Sequence, residues 1–271
     1  MRTMMNRFGL ARLPFTKEIA AEDLFEVKSH GDAIARLKAA VDARASAVLT
    51  GEAGVGKTCV LRGLERTLNP SRYRLTYLHH TGVSPRDFYR QLSVALGLEP
   101  KAHPSAMFRQ LQAHIEELAD EQKVYPLLLI DEAQLLPTSM LEQLHILLNY
   151  RMDSRAFLSV ILVGLPELRE RLARNLLSSL STRLPVRIHL EPLAAEYVGG
   201  YLCHRMKAAG STQEVFSEDA ALCIREASGG VLRKIDVLAH HCLETVARGK
   251  GSLVDGGTVQ EAVRQCAEAL R

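Results

Sequence analysis

This chain of 271 residues has no long apolar run, and its first residues do not have the pattern of a secretory leader. Its longest apolar stretches, such as Val124–Ile130 and Phe157–Leu165, fall well below the roughly 20 residues that a membrane-spanning helix needs. The first residues include no apolar core of roughly 7–15 residues and no small-residue cleavage site. We therefore expect no membrane segment, no secretion and a cytoplasmic location.

Paired cysteines are also missing, because the five cysteines are an odd number and form no C-x-x-C pair. We interpret them as small core residues of a protein in a reducing compartment. Cys59 needs separate mention, since it follows Thr58 at a predicted helix start, where the pKa of a thiol can fall. Burial between the helix and the sheet is the interpretation that its context favours.

Neither sign of charge is in large excess. The formal net charge is +3 and the isoelectric point is about 8.6, which permits nucleic-acid binding without indicating it. The sequence has no internal repeat and no low-complexity tract. With 47% hydrophobic and 24% charged residues, the chain is typical of a globular protein with one substantial core and a small second domain.

Residues 51–58 match the G-x-x-x-x-G-K-[ST] phosphate loop in full and directly follow the apolar run Ala47–Thr50. The glycines let the backbone curl so that successive N–H groups point inward, and the following helix adds its positive N-terminal end. Lys57 would contact the β- and γ-phosphates of a nucleotide, and Thr58 would bind Mg²⁺. An ordinary glycine-rich turn is the alternative, which the flanking strand and helix disfavour. The predicted phosphate-binding residues are Gly51, Glu52, Ala53, Gly54, Val55, Gly56, Lys57 and Thr58.

The apolar run Leu127–Ile130 ends in two acids, Asp131 and Glu132. Such a run predicts a buried parallel strand whose carboxyl end presents the acids, and open α/β sheets bind their ligands at that edge. Asp131 is the predicted Mg²⁺ partner, directly or through water. Glu132 is the candidate base that polarises the attacking water. The alternative is a strand that merely ends in solvated acids, which the phosphate loop upstream disfavours.

Strand-like runs alternate with helical patterns through the first two thirds of the chain, which predicts a parallel sheet covered on both faces. Ser84 and Pro85 form a capped helix start, and Gly229 marks a helix stop. The predicted strands cover residues 47–50, 74–78, 127–130, 157–163 and 186–190.

No strand pattern remains after about Glu196, and the predicted helices lie near 196–209, 217–227, 231–247 and 256–269. We therefore predict an N-terminal segment with a first helix that packs on the core (1–45), a phosphate-loop core (46–193) and a helical lid (194–271).

These motifs together resemble the AAA+ ATPases over nearly all of the chain, and most of all the bacterial branch with ExeA-type secretion ATPases and TniB- and TnsC-type transposition regulators. The resemblance implies a three-layer α/β phosphate-loop domain with a parallel five-stranded sheet and a C-terminal all-helical lid. It is carried by Phe8-Gly9-Leu10, Pro14-Phe15, Leu49-Thr50-Gly51-Glu52, Leu129-Ile130-Asp131-Glu132-Ala133-Gln134, Leu162-Val163-Gly164-Leu165-Pro166-Glu167-Leu168, Ile188-His189-Leu190-Glu191-Pro192-Leu193 and Gly229-Gly230-Val231-Leu232-Arg233.

The resemblance also implies roles for two arginines. Arg183 matches the arginine finger that reaches a neighbouring subunit, with Arg187 as its rival, and Arg233 matches the lid arginine that touches the γ-phosphate from the same chain. Guanidinium groups suit both roles, because they neutralise charge on the transferred phosphoryl group. Surface ion pairs are the alternative. The family commonly has a polar, water-aligning residue beside Gly164, whereas this chain has Leu165, which implies slow hydrolysis.

Contacts with DNA are implied in loops that face the channel of a ring or filament in related regulators. The nucleic-acid candidates are Lys101, His80 and Arg109, of which Lys101 is the first choice. The same loops contain His79, Arg86 and His103. The adjacent pairs His79-His80 and His240-His241 lack a third ligand at suitable spacing, so a structural role is favoured over metal binding.

The predicted function is an ATPase with ATP and Mg²⁺ at its site, which assembles with itself on duplex DNA and regulates target selection by a transposase. Because the chain ends with the lid, we expect a short transposition regulator without a membrane partner. An ATPase that assembles an envelope secretion apparatus is one alternative. A nucleotide-dependent interaction switch with negligible turnover, suggested by Leu165, is another.

Overall fold

The computed structural model describes residues 2–16, 18, 23–25, 27–79, 84–249 and 251–266. The strands are β1 (Ala47–Gly51), β2 (Tyr73–Leu78), β3 (Tyr125–Ile130), β4 (Ser159–Gly164) and β5 (Val186–Leu190). The α-helices are α1 (Arg2–Phe8), α2 (Lys28–Asp42), α3 (Lys57–Thr67), α4 (Pro85–Ala95), α5 (Pro104–Asp120), α6 (Thr138–Leu147), α7 (Glu167–Leu172), α8 (Ser178–Thr182), α9 (Ala195–Ala208), α10 (Glu218–Ser228), α11 (Leu232–Arg248) and α12 (Gly256–Gln265).

The five strands form one parallel sheet in the order β2-β3-β4-β1-β5, which confirms the predicted fold class. Every residue of β1, β3 and β4 is buried, whereas the edge strands β2 and β5 have partly exposed positions. Continuous apolar sequence therefore marks the strands that are covered on both faces and paired on both sides.

Local signals in the sequence predicted several helix ends. The side chain of Ser84 caps α4 by accepting the backbone N–H of Asp87 at 3.3 Å, and Pro85 occupies the first helical position. Gly229 ends α10 in the left-handed conformation with φ +60°, which is a common glycine helix stop. These contacts involve residues close in sequence, which explains why pattern alone identified them.

The chain divides into two compact units. The sheet unit consists of Gly31–Gly51 and Val60–Leu190, and its core packs α4, α5 and α6 around β3 and β4. The loop-and-lid unit consists of Met1–His30, Glu52–Cys59 and Glu191–Arg271. These units differ from the three consecutive domains that we predicted, because the N-terminal residues and the phosphate loop group with the C-terminal helices.

The core of the loop-and-lid unit includes side chains from both ends of the chain, such as Phe8 and Phe15 with Leu202 and Leu243. Arg205, which is buried, fastens the N-terminal segment by donating to the carbonyl oxygens of Pro14 at 2.7 Å and Thr16 at 2.8 Å. Residues near the N-terminus are thus a structural part of the lid.

Arg205 is itself held by Asp236, whose carboxylate lies 3.3 Å away, and Tyr201 donates to the same carboxylate at 2.6 Å. Burial raises the pKa of Asp236 above its ordinary value, and the nearby guanidinium opposes that rise.

The helices of the described residues were compared with the length and hydropathy of a membrane span, and none of them reaches both.

Candidate nucleotide site

The carboxyl-terminal edge of the sheet carries the predicted acids and leads into the phosphate loop. Gly51 is the last residue of β1, and Asp131 directly follows the last residue of β3. Because all strands are parallel, both residues lie at the same edge of the sheet, which is where open α/β sheets bind ligands.

Two glycines of the phosphate loop adopt left-handed backbone conformations, Gly54 with φ +86° and Gly56 with φ +102°. The buried ammonium group of Lys57 donates to the carbonyl oxygen of Glu52 at 2.9 Å, so the lysine folds back over its own loop. Thr58 is exposed in the first turn of α3. The loop thus has the backbone curvature and the cation that a polyphosphate needs.

Arg233, the predicted lid arginine, lies directly against this loop. Its backbone N–H donates to the carbonyl oxygen of Gly54 at 3.2 Å, and a Cβ atom on Gly54 would come within 2.7 Å of the Arg233 Cβ. The first turn of α11 therefore packs on the phosphate loop within one compact unit. The side chain of Arg233 is exposed.

His30 supports the other side of the loop. Its Nε2 lies 3.1 Å from the carbonyl oxygen of Val55, and a Cβ atom on Gly56 would come within 2.6 Å of the imidazole Cε1. Burial lowers the pKa of His30 below its ordinary value, against an opposing contribution from the hydrogen bond to Val55. The neutral ring donates its Nε2–H to that carbonyl and fixes the loop backbone.

Asp131 is 8% exposed and has a partner on each carboxylate oxygen. The Tyr77 hydroxyl donates to Oδ2 at 2.8 Å, and the backbone N–H of Glu132 donates to Oδ1 at 2.9 Å. Desolvation and the neighbouring acids raise the pKa of Tyr77, so the phenol stays protonated and acts as the donor. These bonds orient the carboxylate at the sheet edge.

Glu132 adopts the left-handed conformation, with φ +51° and ψ +37°, which is unusual for a residue with a long side chain. The Gln134 amide donates to Glu132 Oε2 at 2.6 Å and accepts the backbone N–H of Leu165 at 3.1 Å. The structure therefore connects Glu132 to the position where the family commonly has a polar side chain and this chain has Leu165.

The predicted finger, Arg183, ends α8 and pairs with Asp153 at 2.7 Å. Asp153 belongs to a turn in which it and its neighbours Arg151 and Met152 all have positive φ. The rival, Arg187, donates to the Ser181 hydroxyl at 2.6 Å. Each arginine thus has a partner within its own chain.

The DNA candidates fall into two groups. Lys101 and Arg109 are exposed in the sheet unit, and the guanidinium of Arg86 lies 3.4 Å from the carbonyl oxygen of Ala102, next to Lys101. His80 lies outside the described residues, so of the three candidates the structure places Lys101 and Arg109.

Sequence reasoning missed Tyr77 and His30 and assigned no role to Gln134, although Gln134 lies within a motif that it singled out. Tyr77 reaches Asp131 because β2 pairs with β3 in a register that places Tyr77 beside Leu129. Strand order is not encoded by local pattern, so no sequence signal pointed to this pair. The polar amide three residues after Asp131 was the available signal for Gln134.

Comparison with protein families matches residues 41–172 to the family described as an AAA domain. General secretion pathway protein A of Aeromonas hydrophila, an ExeA-type protein, is 33% identical over 254 residues. The matched region covers 92% of this chain and 46% of that relative, so the chain spans less than half of the relative's length.

Solved structures show the same fold at low sequence identity. Cdc6p from Pyrobaculum aerophilum superposes with a TM-score of 0.74 at 17% identity, covering 93% of this chain and 70% of that chain. The ORC1 protein of Aeropyrum pernix, solved in complex with DNA, gives a TM-score of 0.65 at 19% identity, covering 93% and 68%. These structures agree with this chain in fold alone, whereas the match to the AAA domain and the 33% identity, with the phosphate loop and the strand-end acids, show that the chain belongs to the AAA+ family, on its ExeA-like branch.

Proposed function

We propose that the protein binds ATP at its phosphate loop and hydrolyses it with Glu132 as the general base. Lys57 contacts the β- and γ-phosphates, and Arg233 contacts the γ-phosphate from the same chain. The observation that carries the proposal is the packing of Arg233 on the phosphate loop, since it brings a second cationic residue, besides Lys57, to the cradle. Glu132 polarises the attacking water.

Thr58 and Asp131 would hold Mg²⁺ at this site. The fit rests on the donor set, because hydroxyl and carboxylate oxygens are the ligands that Mg²⁺ prefers. Each oxygen of Asp131 accepts one hydrogen bond that the structure shows, and a carboxylate has about four lone-pair sites, so further coordination is possible. When bound, Mg²⁺ would neutralise the negative charge that develops on the transferred phosphoryl group.

Catalysis is completed between subunits in this proposal, with Arg183 acting on ATP bound to the neighbouring copy. The partner that Arg183 has within its own chain, Asp153, is more than half exposed, so the ion pair is weak and can open on assembly. ATP thereby drives formation of a ring or filament.

The assembly forms on duplex DNA and presents the target to a transposase. A single chain has a formal net charge of only +3, whereas an assembly repeats Lys101 and Arg109 along the phosphates. Repetition multiplies weak contacts through effective concentration. Binding should therefore be cooperative, dependent on ATP and largely independent of sequence.

A second candidate is an ATPase that assembles an envelope secretion apparatus. The observation that favours it is the 33% identity to a general secretion pathway protein. A nucleotide-dependent switch with negligible turnover is a third candidate, which the apolar Leu165 favours; steady-state ATP hydrolysis with and without DNA tests it.

Retention of duplex DNA at moderate salt, measured with ADP, with no nucleotide and with a slow ATP analogue, separates these functions. We expect binding with the analogue alone, with an affinity that falls linearly on a log-log plot against salt. Lys101→Ala should weaken binding to every sequence and reduce the salt slope, while Lys38→Ala, which removes a lysine paired with Asp42 at 2.5 Å, serves as the control.

Two results would count against assembly on DNA. Tight binding without nucleotide would contradict an assembly driven by ATP. Absence of binding with every nucleotide would favour the secretion candidate.

A further inference from the structure

The side chain of Gln134 connects the proposed base to the end of β4. Its Nε2 donates to Glu132 Oε2 at 2.6 Å, and its Oε1 accepts the backbone N–H of Leu165 at 3.1 Å. One planar amide therefore spans two segments that are 33 positions apart in sequence. The bridge lies wholly within the sheet unit.

The chemistry of the two partners fixes the orientation of this amide. A backbone N–H can only donate, so the carbonyl oxygen of Gln134 must face Leu165. An ionised carboxylate can only accept, so the amide nitrogen must face Glu132. Both requirements are met at once by an amide side chain, and glutamine has the reach that the structure uses.

Neighbouring residues are built around the bridge. A Cβ atom on Gly164 would come within 2.5 Å of Gln134 Oε1, so any larger residue at the end of β4 would push the amide away. Arg171 donates to the backbone carbonyl of Gln134 and, at 2.7 Å, to that of Leu136. The turn after β3 is thus fastened to α7 at the point from which Gln134 projects.

The bridge ends at the position where this chain departs from its family. Leu165 has an apolar side chain where a polar, water-aligning residue is common, but its backbone N–H is engaged by Gln134. Glu132 is in a left-handed conformation that requires support from its surroundings. The amide of Gln134 therefore bonds both the Leu165 N–H and the Glu132 carboxylate.

We propose that Gln134 is a positioning residue for Glu132 and that it replaces the polar side chain missing at Leu165. The proposal rests on the proposed function, because it assumes that Glu132 acts on water during ATP hydrolysis. Gln134 holds one carboxylate oxygen of Glu132 against the end of β4, which fixes the direction from which the base acts. Gln134 itself need not touch the nucleotide.

Two substitutions separate the two ends of the bridge. Gln134→Ala removes both hydrogen bonds. Gln134→Glu keeps an oxygen that can accept the Leu165 N–H, but it places a carboxylate beside Glu132 in place of the donor. Gln122→Ala is the matched control, because Gln122 donates to Glu117 at 3.1 Å on the exposed surface of the same unit.

The test measures kcat and KM for ATP hydrolysis, with and without duplex DNA, together with hydrogen exchange at the Leu165 amide. Both Gln134 variants should lower kcat by about 10- to 100-fold, less than the roughly 10²–10⁴-fold contribution of a general base, with little change in KM. Exchange at Leu165 should accelerate in Gln134→Ala and stay slow in Gln134→Glu. Gln122→Ala should match the wild type in both measurements.

Gly164→Ala offers an independent check. The added methyl group should displace the amide and lower kcat in the same way, and combining it with Gln134→Ala should add no further loss, since both changes break one bridge. Additive losses would mean that the two residues act separately and would overturn the proposal.

The outcomes distinguish the role of Gln134 from the proposed function. An active wild type with unchanged kcat in both Gln134 variants would overturn the role of Gln134 and leave the proposed function intact. An inactive wild type at saturating ATP, with and without DNA, would overturn the proposed function and this role with it. Unchanged exchange at Leu165 in Gln134→Ala would overturn the bridge itself.

Discussion

The phosphate loop and the strand-end acids are held in place by different means. Around Gly54 and Gly56 the constraint is space, because a Cβ atom on either glycine would collide with Arg233 or His30. Around the acids the constraint is hydrogen bonding, because Asp131 accepts from Tyr77 on β2 and Glu132 accepts from Gln134 in its own turn. We therefore expect damage from substitutions that add atoms at these two glycines and from substitutions that remove a hydrogen-bond donor to either acid.

This contrast also separates the expected phenotypes. Changes in the loop-and-lid unit should alter ATP affinity, since that unit holds the phosphate cradle. Changes at the acids or at the finger in the sheet unit should alter turnover while ATP still binds. The following substitutions test that separation.

The largest effect is expected for Arg183→Ala. Arginine fingers contribute about 10³–10⁵-fold in rate, so this variant should bind ATP normally and hydrolyse it very slowly. Mixing it with Glu132→Gln should restore part of the activity, because some interfaces then combine an intact Glu132 with an intact Arg183. Turnover of the separate and mixed proteins measures this rescue.

Asp153→Asn is the matched control for the finger. It releases Arg183 from its partner within the chain without removing the guanidinium, so turnover should be retained or increased. The stability cost should be small, about 0–1 kcal/mol, because the Asp153 carboxylate is more than half exposed. If Arg183→Ala and Glu132→Gln are shown to form mixed assemblies and turnover is still not restored, Arg183 does not act between subunits.

A smaller effect is expected for Tyr77→Phe, which removes the hydroxyl that donates to Asp131 and keeps the ring. Partners that orient a metal ligand typically contribute about 10- to 100-fold to metal affinity or activity. We expect turnover to require more Mg²⁺, with ATP affinity in the absence of Mg²⁺ unchanged. A Mg²⁺ titration of hydrolysis measures the shift, and an unchanged midpoint would remove Tyr77 from the site.

Gly54→Ala tests the spatial constraint on the loop. The new methyl group would sit 2.7 Å from the Arg233 Cβ in a left-handed conformation, so we expect a loss of about 1–3 kcal/mol in stability and weaker ATP binding. Gly199→Ala is the control, because a Cβ atom there meets its nearest neighbour at 3.9 Å. It lies inside α9, where alanine should raise stability by about 0.4–1 kcal/mol. Thermal unfolding measures both variants, and an equal change in stability for Gly54→Ala and Gly199→Ala would contradict a spatial constraint at Gly54.

Local sequence predicted the five strands to within two residues at each end and the cap at Ser84, because these features depend on neighbours in the chain. Residue types and spacing also singled out the phosphate loop and the acids, whose roles towards a nucleotide stay predictions. It did not predict that Tyr77 meets Asp131, since that contact needs the order and register of β2 and β3.

The grouping of the N-terminal residues with the lid was likewise beyond local pattern. It depends on Arg205 reaching carbonyl groups about 190 positions away in the sequence. Polar contacts of this kind form only after the helices pack, so neither periodicity nor capping signals reveal them.

The smallest effect is expected from pH at His30. Because burial lowers its pKa, the unfolded chain takes up this proton more readily than the folded chain. The contribution to stability is therefore complete above pH 6.5 and is lost as the pH falls from there towards the lowered pKa, by at most about 1.4 kcal/mol per pH unit. His30→Gln should reduce the difference in urea unfolding between pH 7.5 and 5.5, and an unchanged difference would argue against this role.

The most direct test of the separation between binding and turnover is calorimetric titration of ATP into Lys57→Ala and Glu132→Gln, with turnover measured on the same samples. Lys57→Ala should lose about 10- to 100-fold in ATP affinity, because a charge-assisted hydrogen bond to phosphate is removed. Glu132→Gln should bind ATP as the wild type does and lose about 10²–10⁴-fold in turnover. Equal ATP affinity of Lys57→Ala and the wild type would contradict the assignment of the phosphate loop.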